Sequence, residues 1–207
     1  KGKLEHYMYE TPNEGIKFIN STVATRTNGL ITDIADSDTI TDDTVCVLMN
    51  IVYFLSKWKT PFDPKFTKEQ SFTTLSGMVI QEKMMTQSYT DDDFFYTEDN
   101  IAQCAILPYE TDYCMWIGLP TTHDADLLLS INHSAEFSTL SIPKFSHREK
   151  FYLGPILQSM GINKMFGSGA DFSNMLTGNS FFVSDIIHEC VVNVDEFKTE
   201  AAAVTMC

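Results

Sequence analysis

One run of residues, Thr44 to Leu55, places the strongest constraint on how this chain folds. It is apolar at both odd and even positions, which is typical of a strand covered on both faces. At about 3.3 Å per residue the run would extend for roughly 36 Å. Asn50 lies in its middle, and a buried amide without partners costs about 1–3 kcal/mol. The sequence therefore predicts a long central strand, structure packed on both of its faces, and a hydrogen-bond partner for Asn50.

The tail of the chain combines a strand pattern with a segment of undecided conformation. Glu189 to Val194 is β-branched and apolar, which predicts a strand. An acidic pair, Asp195 and Glu196, follows it. Thr199 to Thr205 contains three consecutive alanines, which favour a helix, yet no side chain in it is too large for a tightly packed strand. The segment from Thr199 to Thr205 is therefore compatible with two conformations.

Composition excludes several classes of function. Asp and Glu number 28 against 14 Lys and Arg, and this net charge of −14 argues against a nucleic-acid surface. The longest apolar run is too short to span a bilayer. Five scattered cysteines lack metal-ligand spacing and form no dense disulfide pattern. Two glycosylation sequons, at Asn20 and Asn132, are compatible with the secreted or extracellular location that we expect rather than a cytoplasmic one.

Two further stretches have clear secondary-structure patterns. Thr11-Pro12-Asn13-Glu14 reads as a helix start, and Asn28-Gly29 as its stop, so a helix is predicted over about 12–28. Two apolar runs joined by a short acidic turn predict a hairpin over about 102–120. A fifth strand followed by the undecided tail is expected over 186–207.

Several motifs, in one consistent order along the chain, resemble the serpins, a family of serine protease inhibitors. The tail V-x-V-D-E-x-x-T-E-A-A-A-V-T is similar to the family's V-x-V-D-E-x-G-T-E-A-A-A-A-T, with Lys198 in place of the glycine. Lys57 to Phe62 matches K-W-x-x-P-F, and Leu140 to Phe145 matches L-x-x-P-K-F. The resemblance implies an α+β fold with a large mixed or antiparallel main sheet, further sheets and surrounding helices. All 207 residues would be part of a single serpin domain, its central to carboxy-terminal part up to the reactive-loop hinge.

The resemblance also implies roles for particular residues. Asn50 on the third strand of the main sheet would bond His188 on the fifth strand, and Trp58 would cap the sheet. Lys144 would pair with Glu196 at the base of the reactive loop. The hinge of that loop would consist of Glu196, Phe197, Lys198, Thr199, Glu200, Ala201, Ala202, Ala203, Val204 and Thr205.

The function implied is suicide inhibition of a serine protease or, alternatively, a cysteine protease. The protease would cleave the loop beyond Cys207, and the hinge would then insert as a strand between the third and fifth strands. The runner-up is a non-inhibitory binding, carrier or chaperone-like protein of the same fold. We expect no enzymatic activity, because the five His and five Cys lie in no nucleophile motif. We also expect no cofactor and no bound metal.

Two expectations concern packing and partners. Strand alternation would turn the small side chains of Thr199, Ala201, Ala203 and Thr205 inward, and would require Glu200 to face solvent. Lys198 restricts the backbone more than glycine, so its replacement by glycine should speed insertion or leave it unchanged. The expected partners are the target protease and the remaining serpin segments, namely amino-terminal helices and carboxy-terminal strands on other polypeptide; no nucleic acid is expected.

Overall fold

The computed structural model describes residues 7–44, 46–88, 95–98, 102–120, 139–174 and 181–207. The helices are α1 (Pro12–Arg26) and α2 (Leu153–Ser159). The strands are β1 (Met49–Lys57), β2 (Lys68–Thr73), β3 (Val79–Ser88), β4 (Phe95–Glu98), β5 (Ala102–Pro108), β6 (Cys114–Pro120), β7 (Thr139–Pro143), β8 (Phe145–Tyr152), β9 (Ile187–Val194) and β10 (Lys198–Met206). The fold is α+β, with β-structure predominating. The Asn132 sequon lies outside the described residues.

The strands form three sheets. Four strands lie in the order β1-β10-β9-β8, and the antiparallel sheets are β2-β3-β7 and β4-β5-β6. The predicted hairpin over 102–120 corresponds to β5 and β6, which pair from Ala102 opposite Pro120 to Pro108 opposite Cys114.

The chain divides into two compact units. The first unit comprises Lys1–Phe54, His147–Val192 and Ala201–Cys207, and the second comprises Leu55–Ser146 and Asn193–Glu200. The strands β1, β8, β9 and β10 each contribute residues to both units, whereas the two three-stranded sheets belong to the second.

Helix α1 begins and ends where its capping residues require. The Thr11 side chain accepts a hydrogen bond from the Glu14 amide, and Pro12 occupies the first turn, where a missing N–H does no harm. Asn28 and Gly29 have φ angles of 53° and 79°, the left-handed conformation that stops a helix. The observed helix ends at Arg26, two residues before the predicted bound, because Asn28 belongs to the stop.

The core of the first unit lies between α1 with its following segment and one face of the sheet strands. Ile19 and Val23 of α1 pack there with residues of β9 and β10. The buried members are Ile19, Val23, Ile31, Ile34, Ala35, Ile40, Ile187, Val191, Ala202, Val204 and Met206. We call this cluster the α1 core.

Strand β1 differs from its predicted extent and from its predicted burial. It begins at Met49 rather than Thr44, because Thr44 is held in a turn by hydrogen bonds with Thr41 of 2.9 and 3.1 Å. Met49 packs against the α1 core, but Leu48 and Val52 are 46% and 55% exposed. The expectation that both faces are covered is therefore wrong for the part of the chain described here, where α1 covers one face only.

Candidate functional site

The hinge segment is a strand in this structure. β10 lies between β1 and β9 in the four-stranded sheet. Next to its end, the Leu48 amide donates to the Cys207 carbonyl over 2.6 Å and the Cys207 amide donates to the Leu48 carbonyl over 2.9 Å. Such a reciprocal pair is the pattern of antiparallel strands. Local propensity does not decide the conformation of Thr199 to Thr205; hydrogen bonding of β10 to the neighbouring β9 and to the distant β1 favours the extended form.

Both faces of β10 are largely removed from solvent. Ala202, Val204 and Met206 belong to the α1 core, while Ala201 and Ala203 on the other face are half-buried. The expectation that Thr199, Ala201, Ala203 and Thr205 form the inward face is wrong here: Thr199 is buried, but the other three are half-buried and the opposite face packs in the α1 core. Glu200 is only 8% exposed, so the expectation that it faces solvent is wrong. Alternation along the strand puts Glu200 on the same face as buried Ala202, and a charged partner described below offsets its burial.

The carboxylate of Glu196, in the second unit, receives hydrogen bonds from two other elements. Lys144 Nζ donates to Oε2 over 2.8 Å, and Thr67 Oγ1 donates to Oε1 over 3.0 Å. The predicted pairing of Lys144 with Glu196 is present. Burial alone would raise the pKa of Glu196, but the bonds from Lys144, a backbone amide and Thr67 outweigh it, so the pKa lies below its ordinary value.

Trp58 holds the turn that contains Glu196. Its Nε1 donates to the Asp195 carbonyl over 2.8 Å, and its backbone amide donates to the Phe197 carbonyl over 3.0 Å. Its ring is 1% exposed and stacks on Tyr109 with a centroid separation of 4.8 Å. The Phe62 amide donates to the Glu196 carbonyl over 2.8 Å. The carbonyls of all three turn residues are therefore bound by the segment from Trp58 to Phe62.

The turn is also closed from within. Asp195 Oδ1 accepts hydrogen bonds from the amides of Phe197 and Lys198, over 2.8 and 3.0 Å. The Asp195 amide donates to the Lys198 carbonyl over 3.1 Å. An aspartate that binds amides two and three residues ahead stabilises a tight turn at low conformational cost. We call Trp58, Phe62, Thr67, Lys144 and Glu196 the turn clamp.

In the first unit, His188 and Asn50 do not meet. His188 Nδ1 lies 2.8 Å from Thr205 Oγ1 of β10, the strand that separates β1 from β9. Asn50 is exposed in β1, the first strand of the described order. An inserted strand was expected to separate this pair or supply a new partner, and Thr205 is such a partner. The exposure of Asn50 at this end of the described order contradicts the prediction that it is buried in a central strand, and it removes the argument for a direct Asn50–His188 bond.

An ion-pair group in the first unit was not anticipated from the sequence. Arg148 of β8 donates through Nε to Glu189 Oε1 over 2.6 Å and through Nη2 to Asp33. The Glu189 side chain is 1% exposed, which fits its alternation with buried Ile187 and Val191. The bond from Arg148 lowers the pKa of Asp33. Period-2 alternation could have revealed the burial of Glu189, but no motif pointed to Arg148.

The described residues show no other type of site. They contain no group of three or more His, Cys, Asp or Glu side chains that could hold a metal ion. Within the same residues, no helix is long and apolar enough to cross a membrane. The five cysteines are free thiols.

Sequence comparisons give a consistent family match. The family model described as Serpin (serine protease inhibitor) matches residues 1–207. The chain is 35% identical to plasminogen activator inhibitor 2 of Homo sapiens, over 95% of this chain and 52% of that protein. It is 31% identical to a serine protease inhibitor of Cyanea capillata, over 99% of this chain and 58% of that protein. The chain thus spans about half the length of the curated relatives it matches.

The comparison with solved structures agrees with the sequence comparisons. A structure described as cleaved Serpin 42Da matches with a TM-score of 0.84 and 29% identity, over 94% of this chain and 56% of that chain. Emu ovalbumin matches with a TM-score of 0.82 and 23% identity, over 94% of this chain and 54% of that chain. The second match, at this identity, concerns the fold alone.

Proposed function

The chain belongs to the serpin family, and we propose that it inhibits a protease by loop cleavage followed by insertion of its hinge into the main sheet. The observation that carries this proposal is the position of β10, hydrogen-bonded between β1 and β9. Similar solved structures described as cleaved serpins support it. The protein would act as a substrate that traps the protease, not as a catalyst.

The chemical step belongs to the protease. Its serine Oγ attacks the carbonyl carbon of the scissile peptide bond, which we place beyond Cys207. The C–N bond breaks, the amine leaves with a proton, and the acyl group remains on the serine as an ester. Release from the second half of the loop lets residues 198–206 move as a strand. The tethered protease is carried along before water hydrolyses the ester.

The driving force comes from pairing and burial. Each backbone hydrogen bond that β10 gains contributes about 0.5–1.5 kcal/mol net, and a long strand gains many. Val204 and Met206 are additionally 0% and 4% exposed in the α1 core. The uncleaved form would therefore be kinetically trapped above the inserted form. The turn clamp fixes the point from which β10 starts.

One observation favours the non-inhibitory alternative. Lys198 stands where the family motif has glycine, and a residue with a Cβ has less backbone freedom than glycine. This restriction would slow insertion if nothing compensated it. A binding, carrier or chaperone-like protein of the same fold would need no insertion at all.

Complex formation with proteases separates the two functions. The protein is incubated with a panel of serine proteases and one cysteine protease, and complexes that resist SDS are sought on gels. We expect a band at the summed mass with at least one serine protease, and none when that protease carries alanine for its catalytic serine. Loop cleavage without a complex across the panel would favour the non-inhibitory function.

A further inference from the structure

The hinge carries its own ion pair. Lys198 Nζ donates to Glu200 Oε2 over 2.9 Å. The two residues are two positions apart in β10, so their side chains project from the same face of the strand. The Glu200 side chain is 10% exposed and that of Lys198 is 38% exposed. A buried carboxylate thus meets a cation whose outer part remains in water.

Burial of the Glu200 carboxylate opposes insertion of the strand into a sheet. Moving an ionised group from water to a buried position is costly unless it is paired and hydrogen-bonded. Here a paired cation lies on the same strand, two residues away. Because both residues belong to β10, the pair moves with the strand.

The backbone does not require glycine at this position. Asn28 is the one non-glycine residue with positive φ among those described, so Lys198 has an ordinary strand conformation. Its amide donates to Asp195 Oδ1 over 3.0 Å, and its carbonyl accepts from the Asp195 amide. A lysine therefore closes the turn as well as a glycine would, and adds a charge that glycine lacks.

We propose that Lys198 is a positioning residue for loop insertion, supplying the countercharge that lets Glu200 enter the sheet. The inference rests on the proposed inhibitory function. It reverses the expectation drawn from backbone freedom alone: Lys198→Gly slows insertion instead of speeding it. In this chain the lysine then favours insertion through its pair with Glu200, a residue that the family motif shares.

The test compares charge variants of the pair. Lys198→Met removes the charge and keeps the side-chain length, Lys198→Arg keeps the charge, and Glu200→Gln removes the carboxylate. A double variant combines Lys198→Met with Glu200→Gln. Lys68→Met, at an exposed position of β2, is the control for loss of one positive charge. The readouts are the number of inhibitor molecules cleaved per protease trapped, and the rise in unfolding temperature on loop cleavage.

We expect Lys198→Met to slow insertion about tenfold, equivalent to about 1.4 kcal/mol on its barrier. More molecules would then be cleaved per protease trapped. Lys198→Arg and Lys68→Met should behave as wild type, and the double variant should recover most of the loss. The inference is overturned if Lys198→Met matches wild type, or if the double variant is no better than Lys198→Met. A wild-type protein that neither traps protease nor gains stability on cleavage would instead overturn the proposed function.

Discussion

The Nζ atom of Lys144 lies 2.8 Å from Oε2 of Glu196, yet the lysine side chain is 43% exposed and the glutamate side chain only 9%. Removing either residue therefore has unequal consequences. Lys144→Met leaves a buried carboxylate with fewer partners and should destabilise the protein by about 1–3 kcal/mol. Glu196→Gln leaves a lysine that water can solvate and should cost about 1 kcal/mol or less. Urea unfolding of both variants measures the difference, and equal losses would contradict this asymmetry.

The same pair predicts a pH dependence. The pKa of Glu196 is lowered in the folded protein, so its ionised form stabilises the fold above the unfolded-state pKa of about 4.3. That contribution is lost as pH falls from about 4.3 through the lower folded-state pKa. The stability difference between wild type and Glu196→Gln should thus be constant near pH 7 and shrink below about pH 4.3. A difference that grew on acidification would refute the assignment.

Replacing each of the two tryptophans by phenylalanine should destabilise the protein to a different extent. Trp58→Phe leaves the Asp195 carbonyl without its 2.8 Å donor, which should cost about 1–3 kcal/mol in addition to lost packing. Trp116 has a buried Nε1 with no hydrogen-bond partner among the described residues. Trp116→Phe should therefore cost less than Trp58→Phe. Thermal unfolding of both variants provides the comparison, and the reverse order would be evidence against the clamp.

Asn20, which carries a glycosylation sequon, bridges the backbone of Ala35 through its side-chain amide. Its Nδ2 donates to the Ala35 carbonyl over 2.8 Å, and its Oδ1 accepts from the Ala35 amide over 2.9 Å. Asn20→Ala should destabilise by about 1–3 kcal/mol, because the Ala35 backbone loses both partners. Urea unfolding measures the loss, and an Asn20→Ala variant as stable as wild type would contradict this role.

The turn clamp could be predicted because its residues lie in motifs that the chain retains. The roles of Trp58, Lys144 and Glu196 were predicted from these motifs, whereas Thr67 belongs to no such motif. The conformation of Thr199 to Thr205 could not be derived locally, because alanine favours a helix and β10 forms only by pairing with the neighbouring β9 and the distant β1. Pairing between β-strands that are distant in sequence leaves no short-range signal.

The cations that pair with two buried glutamates were the other feature that the sequence did not predict. Glu189 and Glu200 sit in strand patterns where a carboxylate is unexpected, and each meets a cation, Arg148 and Lys198. Alternation can predict that such a residue is buried. It does not predict the partner, which depends on strand register for Arg148 and on side-chain conformation for Lys198.

The central claim is that the hinge changes from a loop to a strand when the loop is cut. Amide hydrogen exchange of residues 198–206, followed by mass spectrometry before and after cleavage beyond Cys207, tests it directly. We predict rapid exchange in the uncleaved protein, and strong protection after cleavage as the hinge amides enter the ladders with β1 and β9. Equal protection of these amides in both forms, or rapid exchange after cleavage, would contradict insertion.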